Sequence, residues 1–187
     1  MGAVYLISGP MAAGKSTVAR LLAARFERGV HVEGDLFRRS IVGGRVEIEP
    51  DAAPEAIEQL RLRYEIAAAA ADRYFAAGFT VALEDVAAGP LLAEYAALVA
   101  SRPLHVVVLI PSVAVLAARE QARPEAGYAR WSIDGLHEEF ALRTPRLGLW
   151  LDTSKQTPGQ TVEAILAHCA SSSRARESAS ASSVSRP

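Results

Sequence analysis

Gly9-Pro10-Met11-Ala12-Ala13-Gly14-Lys15-Ser16-Thr17 is the stretch on which the reading of this chain turns. Its spacing is G-x-x-x-x-G-K-[ST], that of a phosphate-binding loop. The flanks agree with it. Val4-Tyr5-Leu6-Ile7 before the loop is an apolar run of strand length, and Val18, Leu21, Leu22 and Phe26 after it fall at helical spacing. Glycines at 9 and 14 let the backbone curl so that successive N–H groups point inward at phosphate oxygens. The helix that starts near Lys15 adds the positive end of its dipole. Lys15 can set an ammonium on the outer phosphates, and the Ser16 hydroxyl can ligate Mg²⁺. The whole stretch, Gly9 through Thr17, is therefore expected to hold the nucleotide. The chain contains 18 Arg and only two Lys, Lys15 and Lys155, so Lys15 is not one of many interchangeable surface lysines.

Composition narrows the setting. With 187 residues, half of them hydrophobic, the chain is one domain with a full core. A net charge of −1 supplies no broad field for nucleic acid or an anionic membrane. The single cysteine, Cys169, cannot form an internal disulfide, which fits a reducing cytoplasm. No apolar run approaches the ~18 residues of a membrane span. The N-terminus opens directly into strand and loop, leaving no room for a signal peptide. Nothing in the sequence speaks to oligomeric state.

In chain order, Val30-His31-Val32-Glu33 reads as a second strand, with His31 as a strand side chain. Gly34 and Asp35 follow at its C-terminal end, where ligands bind in open α/β sheets. An acid there can accept a proton from a substrate hydroxyl or hold a Mg²⁺ water, and it can also cap the helix Leu36–Arg39. Arg38 and Arg39 can reach a phosphate or a polar substrate. Residues 41–54, with Gly43-Gly44, Pro50 and Pro54, read as a loop over the acceptor side. A long helix follows from about Pro54 to Ala77. Ile57, Leu60, Tyr64, Ala67, Ala71 and Phe75 trace its inner face, and Arg61 and Arg63 are read as solvated.

Phe79-Thr80-Val81-Ala82-Leu83 is the third strand, ending in Glu84-Asp85. That placement suits a carboxylate acting on Mg²⁺, directly or through water, or one that binds the acceptor. Leu91 to Val99 marks a helix, Leu104 to Ile110 a buried strand, and a further helix runs to about Arg123. Arg119, Arg123 and Arg130 cluster around Pro124-Glu125-Ala126-Gly127 and suit a lid that closes on a nucleotide. Trp131 serves either core or lid. Leu147–Leu151 is the fifth strand, and residues 153–157 are expected to border the nucleobase. The last helix runs from about Pro158 to Cys169. From Ser171 the Ser/Ala/Arg composition reads as a disordered tail, leaving residues 1–170 as the domain.

Five strands alternating with helices, the loop after the first, predict an α/β fold: a doubly wound parallel sheet with its site at one edge. The ordered set Gly-x-x-x-x-Gly-Lys-Ser, Gly34-Asp35, Glu84-Asp85-Val86, Arg119-x-x-x-Arg123 and Asp152-Thr153 resembles the small P-loop kinases. Within them it is most similar to the chloramphenicol phosphotransferase-like group, over about residues 3 to 169. The resemblance implies a P-loop NTPase fold of the nucleotide-kinase type with a short arginine-rich lid. It implies ATP and Mg²⁺ as cofactors and phosphoryl transfer to a hydroxyl of a small molecule. It makes Asp35 the general base, with Arg38, Glu84 and Asp85 toward the acceptor, and maps the lid arginines onto Arg119, Arg123 and Arg130. Some relatives phosphorylate antibiotics, and high Ala and Arg with almost no Lys fits a high-GC bacterial genome, so an antibiotic is the expected acceptor. The alternatives are a metabolic kinase for a nucleoside, sugar or shikimate-like acid, and a regulatory module that binds ATP and transfers nothing. The guanine-reading Asn-Lys-x-Asp signature of GTPases is impossible here, because the chain contains no Asn, which argues against a GTPase.

Overall fold

The computed structural model describes residues 2–123, 127–128 and 131–183, with side chains through Ser171. Its centre is a five-stranded sheet of β1 (Val4–Ser8), β2 (Gly29–Glu33), β3 (Thr80–Glu84), β4 (Leu104–Leu109) and β5 (Leu149–Leu151). The strand order is β2-β3-β1-β4-β5, and every neighbouring pair is parallel. Both faces are covered, so β1 and β3 are buried along their whole length and read as continuous apolar runs. Within β1 the side chains alternate: Val4 and Leu6 enter the core on one face, Tyr5 and Ile7 the core on the other.

The first core is closed by α3 (Pro54–Ala76) and α4 (Leu91–Leu98), the second by α1 (Lys15–Ala23) and α7 (Pro158–Ser183). Pro54 starts α3 at a position where its missing N–H costs nothing, and Gly78, with φ 86°, follows its end. Small residues Ala67, Ala68 and Ala71 let α3 lie close to the sheet. Two short helices, α2 (Gly34–Arg39) and α6 (Ile133–Glu138), and α5 (Val113–Gln121) complete the set, with a π turn at Glu139–Arg143. No described helix is long and apolar enough to cross a membrane.

The architecture is the expected one, and each predicted strand and helix is present. The end of the chain differs. The backbone of α7 continues helical to Ser183, where the composition predicts a disordered tail from Ser171. Gln160 to Ser183 holds no Gly or Pro, and extending a docked helix requires no new nucleus.

Candidate functional site

The phosphate loop joins β1 to α1. Gly14, with φ 94°, is the N-cap of α1, and Ala12 adopts φ 60°, a left-handed conformation rare for a residue with a Cβ. Gly9 has a separate reason: at φ 145° a Cβ there would lie 2.2 Å from the Leu109 carbonyl oxygen of β4. Lys15 is buried, and its Nζ donates to the Pro10 carbonyl at 3.0 Å, folded back over its own loop. Burial pulls the ammonium below its ordinary pKa, against the opposing charges of Glu84 and Asp85. Ser16 Oγ donates to Glu84 Oε1 at 2.8 Å. A hydroxyl and a carboxylate beside an ammonium are oxygen donors of the kind Mg²⁺ takes, so the residues fit that ion. Among the described residues no group of three or more His, Cys, Asp or Glu could hold a metal, so a cation here would complete its shell from phosphate and water.

On the lid side, Arg119 Nη1 donates to the Ala13 carbonyl at 3.1 Å, and Nη2 to the Thr153 carbonyl at 3.4 Å. It thus ties the phosphate loop to the loop after β5, where the nucleobase is expected. Arg123 is exposed and lies 3.5 Å from Glu120 Oε2, directed to α5 rather than to the phosphate loop. Glu120 in turn accepts the Gly127 and Tyr128 N–H groups, and Tyr128 Oη donates to the Met11 carbonyl at 2.8 Å. Arg130 lies outside the described residues.

The opposite wall is built around Asp35, at the end of β2. Arg38 grips both of its oxygens, at 2.6 and 3.2 Å, and Arg39 lies 3.6 Å away. Burial pushes the Asp35 carboxyl upward, but the Arg38 hydrogen bond and the charges of Arg38, Arg63 and Arg39 outweigh it and hold it below its ordinary value. Arg63 corrects the sequence reading. It is not solvated but buried, its Nη2 2.7 Å from Asp85 Oδ1 and its Nη1 3.8 Å from Asp35 Oδ1. Leu60, Arg63 and Ala67 are spaced three and four apart, so Arg63 falls on the buried side of α3; that spacing was the available signal. Arg61 is exposed and pairs with Glu94, as its position off that face predicts. The Gly34-Asp35 pair also gains a cause. A Cβ at Gly34 would lie 2.0 Å from Asp85 Oδ2, so glycine is what admits the Asp85 carboxylate there.

Glu84 and Asp85 are adjacent in sequence and face different partners. Glu84 meets Ser16, with His31 Nε2 3.8 Å away, and Asp85 meets Arg63 and the Val86 N–H at 2.8 Å. Burial raises the Glu84 carboxyl, but His31, Lys15 and Ser16 bring it below its ordinary value. For Asp85 burial wins over Arg63 and pushes the carboxyl up to about 6. The proximity of His31 to Glu84 went unread in the sequence.

The loop of residues 41–53 covers this wall. Gln59 accepts the Val46 N–H at 2.9 Å and donates to the Gly44 carbonyl at 2.8 Å. Arg38 Nη1 donates to both Glu47 oxygens at 2.8 Å, and Trp131 Nε1 to the Ile48 carbonyl at 3.0 Å. Trp131 is thereby a contact between the lid segment and this loop. Beneath the loop is a recess of about 20 Å³, lined by Arg38, Arg63, Gln59 and aliphatic side chains.

A parallel sheet with a phosphate loop after β1, an acid after β2 and an arginine over the loop defines a P-loop kinase-like protein. A family model described as an AAA domain matches residues 4–137, and the chain belongs to that family. No curated protein matches the sequence. An unliganded sugar kinase from Janibacter sp. HTCC2649 is similar in fold, with TM-score 0.66 and 17% identity over 90% of this chain and 95% of that one. The tunicamycin resistance protein of Deinococcus radiodurans gives 0.65 and 17% over 89% and 95%. Shikimate kinase from Acinetobacter baumannii, solved with shikimate, gives 0.62 and 21% over 92% and 94%.

Proposed function

We propose that the chain is an ATP- and Mg²⁺-dependent O-phosphotransferase acting on a hydroxyl of a small molecule. The observation that carries this reading is Asp35: an acid paired with arginines just after β2, at the same C-terminal edge of the parallel sheet as the phosphate loop that follows β1. In this reading Lys15 leaves the Pro10 carbonyl for the β- and γ-phosphates, and the loop N–H groups hold the same oxygens. Mg²⁺ would be held by Ser16 with Glu84 in its outer shell, and when bound it neutralises phosphate charge. Asp35 orients the acceptor hydroxyl. As the acceptor oxygen bonds to the γ-phosphorus, the bridging P–O bond to ADP breaks and the hydroxyl proton passes to Asp35. A carboxylate held below its usual pKa is a weak base, which suits a loose transition state where the proton moves late. Arg119, with Arg123 and Arg130 on lid closure, neutralises charge and excludes water.

The acceptor reading is an antibiotic, in a kinase of the chloramphenicol phosphotransferase-like group working in the cytoplasm. The resemblance in the ordered motifs supports it, and so does likeness of fold to a tunicamycin resistance protein. Likeness to sugar and shikimate kinases supports a metabolic acceptor as the second reading. The test is ADP release from Mg-ATP against hydroxyl-bearing antibiotics, sugars, nucleosides and shikimate, with product mass measured. One compound should drive release and gain one phosphoryl group. ATP binding with no release across the panel would overturn phosphoryl transfer and leave a nucleotide-binding module.

A further inference from the structure

The wall around Asp35 is electrically closed. Arg38 spends its guanidinium on Asp35 and Glu47, and Arg63 spends Nη2 on Asp85 with Nη1 toward Asp35. Arg39 meets Glu33 and Asp35, and Arg45 meets Glu47. Four arginines thus face the carboxylates of Glu33, Asp35, Glu47 and Asp85, and each of these arginines is already paired. Of the four carboxylates only Asp85 is buried, so an anionic acceptor group that took the Arg63 guanidinium would have to displace a buried carboxylate from its partner, which is costly.

What the recess has to spare is neutral. Both ends of Gln59 are engaged by the loop backbone. Ile41, Val46, Ile48 and Leu60 supply aliphatic wall. Arg63 lines the same recess, is more than nine-tenths buried, and its Nε–H has no hydrogen-bond partner. A buried donor of that kind is satisfied by one oxygen, charged or not.

We propose that this recess receives an uncharged, partly apolar arm of the acceptor, with a hydroxyl or carbonyl oxygen taking the Arg63 Nε–H. Asp85 is then the residue that sets the preference, because it occupies the guanidinium that would otherwise hold an anion. The inference rests on the phosphotransferase reading and names the charge class of its acceptor. At about 20 Å³ the recess has room for about one water, so an arm enters as the 41–53 loop lifts.

The test compares potassium gluconate with sorbitol, a charged and an uncharged hexane polyol, by thermal shift on the Mg-ADP-loaded protein at matched ionic strength. Wild type should respond to sorbitol at least as strongly as to gluconate. Asp85→Asn should bind gluconate about 10–100-fold more tightly than wild type, the worth of one charge-assisted hydrogen bond. The double variant Arg63→Gln/Asp85→Asn should lose that gain. Overturning results are a wild-type preference for gluconate that Arg63→Gln abolishes, or no gain in Asp85→Asn. If Asp85→Asn does not fold, wild type against Arg63→Gln decides, since gluconate binding must then be the same in both. Failure of every compound to accept phosphate would remove the kinase reading, while this binding comparison would still report on the recess.

Discussion

The two sides of the crevice are built by different means. The phosphate side is one continuous stretch, Gly9 to Thr17, and its proposed role rests mainly on backbone N–H groups and a single ammonium. The proposed acceptor side is assembled from the end of β2, α2, the 41–53 loop, α3 and the end of β3, and is held together by charged side chains. A local backbone device leaves a spaced signature in sequence. A network of ion pairs between distant segments leaves almost none. The difference also predicts how each side tolerates change: damage to the phosphate side should be chemical, damage to the acceptor side structural as well.

Lys15→Met is the sharpest way to break the first half of that comparison. The ammonium's hydrogen bond is to its own loop carbonyl, and its charge faces Glu84 and Asp85 without a direct ion pair among the described residues, so removing it should leave the fold intact. Turnover should fall by about 10²–10³-fold, the cost of one electrostatic donor aimed at transition-state charge. Matched urea melts alongside kcat would check both statements. A variant that keeps turnover would show that the loop binds phosphate without using Lys15.

Arg63→Met tests the second half. Deleting one partner of a buried ion pair costs about 3–5 kcal/mol, whereas Arg61→Ala, on the exposed face of the same helix, should leave the urea midpoint nearly unchanged. Equal urea midpoints for the two variants would remove the distinction. The pH dependence has a definite sign. Burial pushes Asp85 up to about 6, so its contribution to stability is present below the ordinary carboxylate range and is lost as pH rises through about 6. The midpoint of Asp85→Asn should therefore improve relative to wild type across that interval.

Arg63 also marks the limit of what the sequence discloses. The strands, the order of helices and the phosphate loop were all legible, because apolar periodicity and glycine spacing are local properties. The place of Asp35, just after the second strand, was legible from the strand that precedes it. Arg63 was misread because an arginine is ordinarily solvated, although Leu60 and Ala67 bracket it on the buried face of α3. Its burial depends on Asp85, which is 22 residues away and admitted by Gly34. The assignment of Glu84 to Ser16 and of Asp85 to Arg63 was equally closed to sequence, since both follow from which way two adjacent side chains turn at a strand end.

One short segment touches both sides, and it gives the smallest effects. Tyr128 is bonded to the Met11 carbonyl of the phosphate loop, and Trp131 to the Ile48 carbonyl of the acceptor loop. Each bond is worth about 0.5–1.5 kcal/mol. Trp131→Phe should therefore release residues 41–53 alone, raising their amide exchange by roughly 2–10-fold while leaving nucleotide affinity unchanged. Tyr128→Phe should do the reverse, loosening the phosphate loop and sparing the acceptor loop. If either substitution loosens both loops together, the segment transmits between the two sides and they are not independent. If each loosens only its own, the lid segment is two separate tethers, and binding on one side carries no information to the other through it.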